Sequence, residues 1–154
     1  MMARFASLRR DERGNSLIEM ALAAPLLAAF LVGMVDISRA VAAKVQLEQI
    51  SQRMIEKVQA QDFDTDQAAA LETEAEAAAG TGSSADVTAW LECNHDGAHL
   101  DFDSGSCGDG VPFARYVSIS VGSTFSPIFG TRYFPGANAD GTVDVGGKAT
   151  VRVQ

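Results

Sequence analysis

Two groups of residues in this 154-residue chain are of types that could do chemistry. The first lies in the stretch LECNHDGAHLDFDSGSCGDG. There Cys93, His95, His99 and Cys107 stand among Asp96, Asp101 and Asp103, all potential metal-binding types. Their spacing fits no recognised zinc pattern. The run DFDSGSCGDGVP from Asp101 resembles a calcium loop, but Gly105 and Pro112 occupy the fifth and twelfth positions. The twelfth position of such a loop needs a bidentate glutamate. In an oxidising compartment the two cysteines would instead form a Cys93–Cys107 disulfide. Gly105, Gly108 and Gly110 make no dinucleotide fingerprint, because no helix is signalled after them. No nucleophile stands at a readable spacing from a base and an orienting group. The expectation is therefore no enzyme, no catalytic residue, no cofactor and no metal.

The second group is Gly14 and Glu19. Glu19 is the only charge between Leu17 and Val35, a run of 19 residues. As a helix that run would be about 28 Å long, close to the hydrocarbon thickness of a bilayer. A carboxylate there has two readings. It snorkels to the headgroups at small cost, or it pairs with a cation. If the chain were cut after Gly14, Asn15 would carry a free α-amine. Glu19 would then be residue five, able to pair with that amine on a neighbouring subunit, which makes burial of both tolerable.

Charge placement sets the topology. Arg4, Arg9, Arg10 and Arg13 precede the run against only Asp11 and Glu12, and Asp36 closes it. The positive-inside rule puts the N-terminus in the cytoplasm and the remainder outside, with Arg9, Arg10 and Arg13 as topology determinants. From Asp62 onward 14 acids face 4 bases, a net charge of -10. Such a body is a poor nucleic-acid binder. A buried core helix is disfavoured because the remaining chain is too small to wrap it. A secretory signal ending at Ala40-Val41-Ala42 is disfavoured by the length of the run and by Asp36 and Arg39 before the site. A retained single span is the reading adopted.

Beyond the span, Ala40, Ala43, Leu47, Ile50, Met54 and Val58 form one apolar helical stripe. The spacing predicts one helix over about 16–61, with Pro25 inside its apolar half. Asp64 or Thr65 can cap a second, Ala- and Glu-rich helix that Gly80 ends. Its charge run reads as a solvated face on a short, weakly packed helix. From Asp86 the period becomes two, in DVTAWLEC (with Trp90 packed on the strand), GAHLDFD, ARYVSISVGSTF and KATVRVQ. The expected fold is α+β: a long N-terminal helix followed by a small antiparallel sheet of about four strands. The segments are a basic leader 1–14, a span 15–35, an amphipathic extension 36–61, an acidic helix or linker 62–85 and a β-rich domain 86–154.

Basic residues, Gly, four residues, Glu and a long apolar helix resemble the type IV prepilin signal, here R-G-N-S-L-I-E. The wider stretch RDERGNSLIEMALAAPLLAAFLVGMVDISRAV resembles the TadE-like family, pseudopilins of the tight-adherence (Flp pilus) apparatus, with Gly14, Glu19 and Pro25 in matching places. The ending YVSISVGSTFSPIF … GGKATVRV resembles the family's final strand, F-[ST]-P turn and last strand. The likeness covers residues 9–50 and 115–154. It implies a minor pilin processed after Gly14, with other pilin or pseudopilin subunits, the assembly machinery, a prepilin peptidase and the bilayer as partners. It also implies an inner-membrane, single-pass protein with a periplasmic body that can enter an extracellular pilus. The alternatives are an uncleaved bitopic envelope protein with a small periplasmic adaptor domain and, more remotely, a secreted enzyme released at Ala42.

Overall fold

A computed structural model describes residues 13–94, 96–128 and 136–154, with side chains from Leu17 onward. It divides into two compact units, Met1–Ser38 and Arg39–Gln154. The long helix, α1, spans Arg13–Ala60 with Pro25 inside it. It starts about a turn earlier than the periodicity predicts, running through Gly14 at an intrinsic cost of about 1 kcal/mol relative to alanine.

Within the second unit the apolar stripe of α1 is buried. Leu47, Ile50, Met54, Ile55 and Val58 form the core with Val117, Ile119, Val121 and Ala149. Ser51 lies in the same stripe, fully buried. Its hydroxyl donates to the Leu47 carbonyl at 3.0 Å, so the polar group is satisfied inside the helix.

A 3₁₀ turn at Thr65–Gln67 leads into α2, Ala68–Ala79. Asp64 caps the turn, its carboxylate accepting from the Asp66 amide. Gly80, at φ 97°, ends α2 in a conformation glycine adopts readily. α2 differs from the expected weakly packed helix. Ala75 is completely buried, and Leu71 and Ala79 pack against the core. Alanine leaves little side chain between a helix and its neighbour, so a small apolar face can still dock closely.

The strands are β1 (Ser83–Cys93), β2 (Leu100–Asp101), β3 (Phe113–Phe125) and β4 (Val143–Arg152). They form one antiparallel sheet in the order β2-β1-β3-β4. The register sets Val87 opposite Ile119 and Ala149 opposite the same Ile119. Alternation turns these residues toward α1 and leaves Thr88, Ser118 and Thr150 on the other face. β1 begins three residues before the expected strand and β4 five residues before it.

At Gly147 the sheet touches the helix backbone. A Cβ there would collide with the main chain of Leu47 and Glu48. Burying each of Val117, Ile119 and Val121 contributes about 1.5–3 kcal/mol. The Lys57–Glu74 ion pair between α1 and α2 is half exposed at both ends and is worth about 1 kcal/mol or less. The apolar seam therefore dominates the stability of this unit. Gly147→Val should destabilise it by about 3 kcal/mol through overpacking against backbone that cannot move aside. Thermal unfolding of the full chain in detergent would show this as a lowered midpoint; an unchanged midpoint would mean the contact is slack.

Candidate membrane anchor and assembly segment

The apolar run is solvent-facing on every side. Leu17, Leu22, Phe30, Leu31 and Met34 are each 60% exposed or more. A helix apolar all round belongs in a large core or in lipid. None of its most apolar window is buried within the chain, and α1 is the one described helix long and apolar enough to cross a membrane. The band suits a single-pass anchor. Pro25 lacks an N–H, so the Ala21 carbonyl loses its helical donor. In lipid such a group is most easily satisfied beside other helices.

Arg13, Gly14 and Asn15 fall in the opening residues of α1. The amides there have no intrahelical acceptor, so the first turn opens at little cost. Glu19 is exposed on α1, five residues after Gly14 and about 7.5 Å further along the axis. Asp36, which closes the run, is buried and engaged within the chain. Arg9 and Arg10 lie outside the described residues.

Past Ser38 the helix becomes the platform for the sheet. The Arg39 guanidinium stacks over the Phe125 ring, 5.2 Å from its centroid. Phe125 ends β3, and Ser126 and Pro127 follow it outside any helix or strand. With the Gly147 contact, this ties α1 to β3 and β4 within the second unit.

The chemistry-bearing loop is organised by its own residues. Cys93 and Cys107 form a disulfide, with Cα atoms 5.8 Å apart. Asn94, at φ 52°, turns the chain out of β1, and its amide donates to the Pro112 carbonyl at 2.8 Å. Gly105 follows because a Cβ there would strike the Asp101 carbonyl. Asp101 Oδ1 accepts from the Ser104 hydroxyl and amide, each at 2.7 Å, and from the Asp103 amide. These bonds, the Ser104 hydroxyl first, hold the Asp101 carboxyl below the usual carboxylate range. Asp103 accepts from the Thr65 hydroxyl at 2.6 Å. His99 stacks on Trp90 at 4.4 Å, and Trp90 stacks in turn on Tyr116. The histidine, the thiols and these acids are thus committed to loop structure, and among the described residues no three His, Cys, Asp or Glu could hold a metal. His95 lies outside the described residues.

Two acids have a role that the charge run alone does not reveal. Glu72 accepts from the Val87 amide at 3.0 Å and Glu76 from the Ala85 amide at 3.1 Å. The acidic face of α2 is therefore partly a cover for the outer edge of β1, where unpaired amides would otherwise invite another strand. Their i, i+4 spacing puts both on one face of α2 without naming the strand that face covers.

Two predictions follow from the loop. Replacing both cysteines with serine should cost about 3 kcal/mol, the entropy of closing a loop of this length. Unfolding of the full chain with and without reductant checks it. Because Asp101 has a depressed value when folded, its contribution is complete above the ordinary carboxylate range and is lost as pH falls through the depressed value. Ser104→Ala should raise the Asp101 midpoint toward an ordinary aspartate in a carboxyl NMR titration. An unmoved midpoint would show that Ser104 is not the cause.

A family profile described as TadE-like protein matches residues 14–53. No curated protein and no solved structure matches the chain. The matched segment opens at Gly14, contains the whole apolar band and ends within the stripe that seats the sheet. Residues 14–53 are thus similar to the TadE-like family, the family suggested by the arrangement of Gly14, Glu19 and Pro25.

Proposed function

We propose that the chain is a minor pilin or pseudopilin of the tight-adherence (Flp) pilus system, acting as a structural component rather than an enzyme. The observation that carries this reading is the family match, which begins at Gly14 and runs through the apolar band. In this reading Arg9, Arg10 and Arg13 hold the N-terminus in the cytoplasm. A prepilin peptidase then cuts after Gly14, where no side chain obstructs the scissile bond, and Asn15 becomes the first residue. Glu19 pairs with the α-amine of a neighbouring subunit in the assembled bundle. The sheet domain stands in the periplasm, where the Cys93–Cys107 disulfide is at home, and enters the filament with the subunit.

One observation favours a second reading, an uncleaved bitopic envelope protein with a small periplasmic adaptor domain. Gly14 and Asn15 lie within α1 rather than in an extended segment, and a peptidase must unwind that turn to reach the bond. The intact mass of the protein from its native membrane decides between them. A start at Asn15 is expected, and Gly14→Val should abolish it. A start at Met1 or Met2 in the unaltered chain overturns processing and leaves the bitopic protein. A start near Ala43 would make the apolar band a removed signal. Glu19→Ala should leave cleavage in place and stop incorporation into pili; normal piliation would rule out the pairing.

A further inference from the structure

The two long edges of the sheet are treated differently. The outer edge of β1 is closed by β2 at Trp90 and Leu91 and by the Glu72 and Glu76 carboxylates at Val87 and Ala85. On β4, the Val153 amide donates to the Arg115 carbonyl at 2.8 Å. Hydrogen bonding alternates along an antiparallel pair, so the odd-numbered residues of β4 face β3. Gly146, Lys148, Thr150 and Arg152 therefore turn their amides and carbonyls outward. Among the described residues, this edge meets only the bridge Ala137↔Val143, at its beginning.

Beside the edge runs a groove of about 510 Å³ along the flank of α1, lined by Val45, Gln49, Gln52, Arg53 and Lys148 among others. Lys148 also borders the depression on the opposite face of the sheet, so it stands at the rim. Lys148 and Arg152 are two of only 4 bases after Asp62, against 14 acids. Lys148 and Arg152 thus put two cations on one face of the open edge, with the Arg152 guanidinium also donating to the Gln154 and Phe113 carbonyls and with Glu48 and Glu56 in the groove beside Lys148.

We infer that the β4 edge from Gly146 to Arg152 accepts an extended acidic segment of another protein as a fifth strand. The main chain of that segment would pair with the outward amides and carbonyls. Its carboxylates, on alternate residues and so on one face, would meet Lys148 and Arg152 on either side of Thr150. The intervening side chains are neutral and lie over the groove, where Glu48 and Glu56 would repel acids. A second copy of this chain is a poor occupant. Two-fold pairing centred on Lys148 sets that lysine against itself, and it brings together two bodies of net charge -10. The edge lysine and arginine therefore discourage self-pairing and select an acidic strand. The inference stands whether or not the chain is cut after Gly14.

The test uses the full chain in detergent and two synthetic ten-residue peptides, one alternating glutamate with threonine and one alternating lysine with threonine. Amide exchange is followed by NMR. The acidic peptide should slow exchange at Gly146, Lys148 and Thr150 by about tenfold or more and leave the β1 amides unchanged. The lysine peptide should do nothing. The exposed double variant K148E/R152E, with its folding confirmed by the unchanged pattern of β3 amides, should reverse the preference. Unchanged exchange at millimolar acidic peptide, equal protection by both peptides, or equal protection of the variant by the acidic peptide would each overturn the proposal.

Discussion

The contact between β4 and α1 at Gly147 is the constraint on which the second unit depends. A helix and a sheet normally stay apart by the thickness of their side chains. Here one glycine lets strand backbone lie against the backbone of Leu47 and Glu48. That approach brings Ala149, Ile119 and Val121 over Leu47, Ile50 and Met54 without large side chains on β4. The strand's small residues are thus a packing solution. They also explain why β4 alone would be a weak strand: it is held by β3 on one side and by the helix beneath it.

α1 must satisfy two solvents in turn. Between Leu17 and Val35 the described residues bury none of its most apolar window, and its composition suits lipid. From Arg39 onward one apolar stripe, Leu47 to Val58, is buried by the sheet and α2, while Val41 and Val45 stay exposed. The other flank carries Lys44, Glu48, Gln52 and Arg53, with Lys44 and Glu48 paired at 3.8 Å. The change from an all-round to a one-sided apolar pattern marks where the surroundings change, and Asp36 and Arg39 stand at the change.

That change was legible in the sequence because both patterns are periodic and long. The four-strand antiparallel plan was legible for the same reason in β3, where Val117, Ile119 and Val121 alternate with serines. The ends of the strands were not. Ser83 and Ser84 carry no apolar signal, and their place in β1 is fixed by pairing with Ser123 and Gly122. Gly146-Gly147 reads as a break in any local window, yet the pair continues β4 because the helix demands a missing side chain there. Ser51 was invisible as a core residue because its satisfaction by the Leu47 carbonyl is a local geometric fact. In the candidate site, Gly14 and Glu19 stood out through type and spacing. The covering role of Glu72 and Glu76 depends on which strand the fold brings beside α2, and no local pattern encodes that.

The edges of the sheet connect these points to assembly. An open sheet edge presents unpaired backbone groups to any chain it meets. One edge is capped by carboxylates that accept its amides. The other carries Lys148 and Arg152 beside free backbone groups, which resists strands like itself without closing the site. The sheet's open edge is left for a partner whose charge is arranged differently from the body it meets.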